Sequence, residues 1–360
     1  MQDVLENKVY CRQLARIIHP LLMWYRKTSR DLPWRVADNP YATWISEIML
    51  QQTRIEAVKP YYARFMERIP TIEALAKIEE VELLKLWEGL GYYSRARNLS
   101  RAAKMVVEQY GRQLPRSYEK LLTLPGIGAY TAGAIASIAY DIPVPAVDGT
   151  VMRIVSRVLA VDMDIADTRT KRTMTNWLAM IMPQEGSGDF NQALMELGQT
   201  VCLPVGKTQC DSCPIHYLCA AYEKDIVDVL PTKSQKKARR KEKRTVWLAM
   251  YDGKIGIRRR ADKGLLAGMW ELPNEEGTCS VKGWRETLSL RGWQLQKMKR
   301  AGKAVHIFTH LEWHMTGYWL ELAEPIDDWQ WVEIGELAEV YPIPTAFRVF
   351  QEWIQKEVQK

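Results

Sequence analysis

No run of apolar residues in this chain approaches the ~20 needed to span a bilayer. The first residues, Met1-Gln2-Asp3-Val4-Leu5-Glu6-Asn7, also lack the basic-then-apolar layout of a secretory signal. These two absences argue against a membrane or exported protein, and the expected setting is cytoplasmic, or nucleoid-associated in a bacterium. No internal repeat is evident, so a stacked-repeat architecture is excluded. No convincing strand pattern precedes Thr245, so the first two-thirds of the chain is expected to hold no sheet. Charge is also scarce as a net quantity outside one segment. Between Lys233 and Arg244 eight Lys/Arg face the single Glu242, a local excess of +7 that equals the net charge of all 360 residues. The remainder of the chain sums to zero.

What is present reads as two globular domains. The hydrophobic fraction is 47% and the charged fraction 26%, both ordinary for a soluble protein, and the length suits two cores. Apolar residues recur at three- and four-residue intervals over 41–69, 72–86, 96–110, 117–122 and 176–182, which predicts helices. The pattern then changes. Residues 245–251 and 254–257 flank Asp252-Gly253, a two-residue hairpin signal, and 304–311 with 313–322 read as a second strand pair. The expected organisation is a helical domain over 1–230, a basic linker over 231–244 and a mixed domain over 245–360. The basic run reads both as a solvated linker and as a phosphate contact that makes affinity salt-dependent.

The most informative segment is Leu124-Pro-Gly-Ile-Gly-Ala-Tyr-Thr-Ala132. It predicts a hairpin between two helices, with Gly126 and Gly128 free to adopt positive φ and to admit a second backbone. The helix over 130–140 follows, rich in Ala, Gly and Ser, and its free N-terminal amides suit a phosphate diester. One helix further on stands Asp148, where a carboxylate can face a bound strand. Asp148 also suits the cap of a helix over 150–159. Upstream, Glu47 lies among Trp44, Ile48 and Leu50 in a predicted helix. A carboxylic acid in apolar surroundings keeps its proton near neutrality. Four of the six cysteines, Cys202, Cys210, Cys213 and Cys219, are bunched as in a metal site, and the spacing suits zinc or a [4Fe–4S] cluster. Cys11 and Cys279 stand alone.

Residues 124–132 with Asp148 resemble the helix-hairpin-helix, Gly/Pro, Asp signature of base-excision DNA glycosylases. Within that superfamily the chain is similar to the adenine DNA glycosylase (MutY) family over nearly its whole length. The implied fold is multidomain: an all-α helix-hairpin-helix glycosylase domain with an iron–sulfur cluster, then a C-terminal α+β Nudix (MutT)-like domain. The resemblance implies that Glu47 is the general acid and Asp148 stabilises the sugar cation. In the related endonuclease III branch a lysine forms a Schiff base where this chain has Tyr130, so Tyr130 implies a hydrolytic, monofunctional enzyme. Gln52 and Tyr92 match residues that wedge into the duplex, and base flipping must precede chemistry. Trp34, Arg35, Leu50, Thr53 and Gln192 match positions near the adenine or its strand. Thr150 stands where the family commonly has Asn. The four cysteines match the ligands of a cubane [4Fe–4S] cluster, although residues 203–209 make seven intervening residues where the family usually has six.

Residues 264–273 resemble the opening of a Nudix fold, yet Ser289 and Leu290 replace the paired acids that would bind Mg²⁺. The fold is expected without the hydrolase activity. Phe308-Thr309-His310 matches the loop that reads 8-oxoguanine in the family, and an alternating strand with Phe308 inward is the plainer alternative. The expected partner is duplex DNA bearing A:8-oxoguanine or A:G, bound by a monomer. Two other functions fit the sequence less well: a bifunctional lyase, disfavoured by Tyr130, and a non-catalytic redox sensor, disfavoured by the pairing of Glu47 with Asp148.

Overall fold

The computed structural model describes residues 2–36, 39–234 and 238–359. Contacts divide the chain into two compact units, Met1–Lys77 with Asn98–Gln235, and Ile78–Arg97 with Lys236–Lys360. Among the described residues the helices begin with α1 (Gln2–Ala15), α2 (Ile18–Thr28), α3 (Pro40–Leu50), α4 (Ile55–Arg68), α5 (Ile72–Lys77), α6 (Glu80–Leu86) and α7 (Ser94–Gln109). They continue with α8 (Tyr118–Leu122), α9 (Ala129–Tyr140), α10 (Gly149–Leu159), α11 (Thr168–Ala179), α12 (Ser187–Thr200) and the short α13 (Ala220–Glu223). No helix among the described residues is long and apolar enough to cross a membrane.

Several predicted boundaries need correction. The periodic stretch 41–69 is two helices, because Gln52 adopts φ 59° and breaks the chain between α3 and α4. The stretch 72–86 is likewise interrupted between α5 and α6. The segment expected over 176–182 is the end of α11, which starts where Asp167 accepts the Arg169 amide at 2.9 Å.

The first unit is built on close helix contacts. Leu14, Leu21, Val151, Val155, Val158, Trp177, Phe190 and Leu194 share one buried cluster, so α1, α2, α10, α11 and α12 enclose a common core. The small residues of α9 let its neighbours approach. A Cβ on Gly133 would lie 2.5 Å from the Pro145 carbonyl oxygen, and one on Gly188 would lie 2.6 Å from that of Ser137. Asp141 ends α9 in the left-handed region (φ 52°). Its carboxylate then accepts from the Gly186 amide at 2.9 Å and the Ser187 hydroxyl at 2.9 Å, fixing the start of α12.

In the second unit the strands are β1 (Arg240–Tyr251), β2 (Lys254–Arg259), β3 (Trp270–Glu271), β4 (Asn274–Glu276), β5 (Leu295–Ile307), β6 (Leu311–Leu322) and β7 (Gln330–Val332). The sheet order is β3-β2-β1-β6-β5, with β4 on β1 and β7 on β2. The β1–β6 pair is parallel and β5–β6 antiparallel, so the sheet is mixed. Asp252 (φ 47°) and Gly253 (φ 76°) make the predicted hairpin turn. Helices pack on both faces around residues 246–249. Val246 and Leu248 pack toward Phe350 and Ile354 of α16 (Arg348–Val358), the helix that follows α15 (Ile334–Glu339). Trp247 and Ala249 pack toward Trp284 and Leu288 of α14 (Val281–Leu290). The first strand starts at Arg240, five residues before the predicted Thr245. The basic run is therefore partly strand, and its residues 235–237 lie outside the described ones.

Candidate active site

The site forms where α3, α9 and α10 bring three side chains together. Asn39 opens α3 by accepting the Ala42 amide at 3.0 Å, with Pro40 at the first helical position. Residues 41–49 are all buried, and Glu47 is 7% exposed, at the wall of a pocket. Burial pushes its carboxyl up to about 7, against a hydrogen bond donated by Tyr130 that works the other way, and the charge of Asp148 pushes it up further. Tyr130 sits in the first turn of α9, its hydroxyl also 3.6 Å from Met195 Sδ. Its phenol is held well above the usual range by burial and by both carboxylates.

Asp148 has the opposite environment. It is half-buried, and its Oδ1 accepts the amides of Thr150 and Val151, both at 2.9 Å, at the N-terminus of α10. Asp148 is thus the N-cap of α10. The approach to Asp148 is fixed by buried Asn191 of α12, which accepts the Ala146 amide at 3.0 Å and donates to the Val144 carbonyl at 2.9 Å. Thr150 turns its methyl toward α12, where a Cβ on Gly198 would lie 2.1 Å from Thr150 Cγ2.

A pocket opens beside Glu47. Trp34, Arg35, Leu50 and Gln192 line it, so four of the sequence-predicted residues meet there. Trp34 stacks edge-on to Tyr62 at 5.4 Å. Glu196 also lines the pocket and was missed by the sequence reading. Burial raises its carboxyl, but Arg30 at 2.5 Å and Arg35 at 2.7 Å outweigh this and hold it below the usual range. The only signal in the sequence was its place one helical turn after Gln192.

The hairpin is present, with one correction. Gly126 has φ 78°, and a Cβ there would meet Asn98 Cβ at 2.6 Å. Gly128 is extended (φ −93°, ψ 178°), and a Cβ there would meet nothing within 4 Å. Its lack of a side chain therefore answers to no neighbour among the described residues. No side chain caps α9 at Gly128, so its first amides are available to an anion.

Thr53 lies half-buried and Gln52 exposed at the α3–α4 break, away from the lining of the pocket. Tyr92 belongs to the second unit, 45% exposed with φ 47°. Its hydroxyl is 2.7 Å from Thr309 Oγ1. In the turn between β5 and β6, Phe308 points inward and stacks on Trp313 at 4.9 Å, while Thr309 and His310 are exposed. On α14, Ser289 and Leu290 are exposed, with Leu290 at 90%.

The cysteines gather after α12. Burial pushes the Cys213 thiol up to about 12, and Cys202, Cys219 and Cys210 each add to this, so the four groups sense one another. Among the described residues no three side chains form a ready-made metal site. The surroundings nonetheless suit bound thiolates. The Ile215 amide bonds to Cys213, and the Tyr222 and Ala221 amides to Cys219. Fully buried Arg157 places Nη1 3.2 Å from Cys202 Sγ and leaves Nη2 without a partner. The 203–209 loop turns at Gly206 (φ 77°), whose amide bonds to Asp228 at 3.1 Å.

Residues 45–180 match the model of the HhH-GPD superfamily base excision DNA repair proteins, and residues 245–352 match the NUDIX domain. The mouse adenine DNA glycosylase is 34% identical over 92% of this chain and 77% of its own length. The chain belongs to the adenine DNA glycosylase family. The fission yeast (Schizosaccharomyces pombe) adenine DNA glycosylase is 30% identical over 91% of this chain and 87% of its own. The solved structure of a thermostable thymine-DNA glycosylase is similar over 59% of this chain and 98% of its own, at 28% identity and a TM-score of 0.54. As an adenine DNA glycosylase the protein is a monofunctional base-excision repair enzyme that hydrolyses the N-glycosidic bond of adenine in DNA.

Proposed function

We propose that the enzyme removes adenine paired with 8-oxoguanine, or with guanine, in duplex DNA, with Glu47 as general acid and Asp148 as the charge that steadies the sugar. The observation that carries this reading is the contrast between the two carboxyls: Glu47 is buried and pushed up to about 7, whereas Asp148 accepts two amides at a helix N-terminus. Adenine is a poor leaving group as an anion. Glu47 therefore delivers its proton to the base, at N7, before or as the C1′–N9 bond breaks and its electron pair leaves with adenine. The sugar becomes an oxocarbenium-like cation facing Asp148, in the manner of glycoside hydrolysis. Water adds to C1′ and returns a proton to Glu47, leaving free adenine and an abasic site. Tyr130 supplies no amine, so no Schiff base forms and the backbone stays intact.

The flipped base enters the pocket lined by Trp34, Arg35, Leu50 and Gln192; Gln52 of the first unit and Tyr92 of the second each wedge into the duplex. Both wedge residues carry positive φ, which costs of order 1–3 kcal/mol per residue and tends to cluster at functional sites. The α9 N-terminus with Gly126 and Gly128 holds the phosphate backbone. Thr309 and His310 meet the partner base, with Tyr92 tied to Thr309. Cys202, Cys210, Cys213 and Cys219 hold a [4Fe–4S] cluster, with Arg157 offsetting its negative charge. When bound, that cluster supplies a cross-link between α12 and the following loops and an electron-accepting centre. A labelled duplex containing A:8-oxoguanine, incubated with and without alkali, tests the whole reading. Strand breaks only after alkali are expected, and release of no adenine from that duplex overturns it.

A further inference from the structure

Beyond the cover of α14, the ends of β1, β6 and β5 leave Lys241, Lys243, Lys303, Val305 and Ile307 of one sheet face exposed, while Thr245 and Thr316 between them are buried. Register assigns its residues to three rows. Lys241 pairs with Glu312 and Glu312 with Ile307; Lys243 pairs with His314 and His314 with Val305; Thr245 pairs with Thr316 and Thr316 with Lys303. These positions share the face that α14 covers further along, where Trp247 and Tyr318 pack under Trp284. The alternate residues of the basic run point the other way and are engaged. Arg244 lies 4.6 Å from the Trp313 ring centroid, and Glu242 accepts the Trp313 indole N–H at 3.0 Å. Strand register thus sorts one basic run into a packed half and an open half.

The open half is short of counter-charge. Lys241, Lys243 and Lys303 are exposed, and none has an ion-pair partner among the described residues. By contrast, the lysines nearer the start of β5 are paired, Lys297 with Glu321 at 3.1 Å and Lys299 with Glu357. Glu312 stands opposite Lys241 with its carboxylate 2.7 Å from His314 Nε2, so the three lysines outnumber it, and Glu275, next to Thr245 on β4, is taken up by Arg291 at 2.9 Å. A lysine on the edge strand β5 also discourages pairing with another chain. Lys241 lies where β1 is laddered only to β6 and can serve the same purpose, whereas the carbonyl of Lys243 accepts the Gly277 amide at 2.8 Å on that side. Val305 and Ile307, each 57% exposed, complete the face. Two residues along a strand span about 7 Å and three strands about 10 Å, the reach of roughly three phosphates of one DNA strand. The face adjoins the turn that carries Thr309 and His310, because Ile307 and Leu311 flank that turn.

We propose that Lys241, Lys243 and Lys303 seat the phosphate backbone of the duplex beside the Phe308–His310 turn, with Val305 and Ile307 against its sugars. The inference rests on the DNA-repair reading above and adds a second backbone contact to the one at the hairpin. Its test is the salt dependence of binding by the full-length protein to a product duplex with an abasic site opposite 8-oxoguanine. Each lost phosphate contact flattens the plot of log K against log[salt] by about 0.9. The triple Lys241→Ala, Lys243→Ala, Lys303→Ala variant is expected to flatten it by about 2 to 3 and to weaken binding at least about tenfold at low salt. Arginine at the same positions should keep both, and Lys297→Ala should change neither. A single Lys303→Glu variant gives the same reading should the triple variant fold poorly. Wild-type slope and affinity in the lysine variants overturn the inference while leaving the enzyme a DNA-binding protein. The same result combined with loss of a protein contact on Val305→Ser would reassign the face to a protein partner. Absence of salt-dependent binding by the wild type itself would overturn the DNA reading of the site.

Discussion

The charge of Asp148 helps to keep a proton on Glu47: burial comes first in raising the Glu47 carboxyl to about 7, and Asp148 adds to it against the Tyr130 hydrogen bond. In the proposed mechanism the stabilising group thus also prepares the acid. Asp148→Asn separates this charge from the helix cap, because Asn caps about as well as Asp. Thermal stability should change little, while single-turnover adenine release should fall by about 10²–10³ from loss of the counter-charge. The pH at which the remaining activity declines should also move down. An unchanged rate with Asn at 148 would remove Asp148 from the chemistry.

In the proposed mechanism Tyr130 decides the reaction type. The wild type should give no borohydride-trapped adduct with DNA and no strand break before alkali. Tyr130→Lys places an amine beside Glu47 and Asp148 and should yield a trappable adduct. Efficient alkali-independent cleavage by the wild type would contradict the monofunctional mechanism.

The thiol cluster makes a separate prediction. Protein purified without oxygen should be brown and hold about four iron per chain. Cys210→Ala should lose the iron and the colour and lower thermal stability. Stoichiometric zinc in place of iron would reverse the assignment.

The Tyr92–Thr309 bond predicts how mispair preference is built. Thr309→Val removes the hydroxyl that bonds to Tyr92 and should narrow the preference for A:8-oxoguanine over A:G severalfold in competition assays. Tyr92→Phe should do the same. Truncation near Thr232 is a poorer test, since α6 and the 89–93 loop belong with residues 236–360 and would lose their packing. Equal preference in wild type and Thr309→Val would contradict a role for this pair.

The parts legible in the sequence were those with local signals. Asp252-Gly253 gave the hairpin, Pro125 and Gly126 the helix hairpin, and the apolar flanks of Glu47 its burial. The α3–α4 break was not legible, because Gln51-Gln52-Thr53-Arg54 holds neither Gly nor Pro, yet Gln52 takes φ 59°. The early start of β1 was hidden by charge: Arg240, Glu242 and Arg244 alternate with Lys241 and Lys243, so a period of two carries no hydrophobic contrast. Glu196 was hidden too, since only the fold brings Arg30 and Arg35 to it. The grouping of 78–97 with the C-terminal part depends on contacts far apart in sequence, which composition does not encode.

The central claim is that a buried, protonated Glu47 delivers the proton that releases adenine, and its most direct measurement is the pH dependence of single-turnover adenine release. A group that must be protonated is active below its titration point, so the rate should be level below about pH 7 and fall tenfold per pH unit above it. Glu47→Gln keeps the shape without the proton and should lower the rate by about 10²–10⁴ with product-duplex affinity kept. A wild-type rate that rises through pH 7, or near-normal release by Glu47→Gln, would contradict the account.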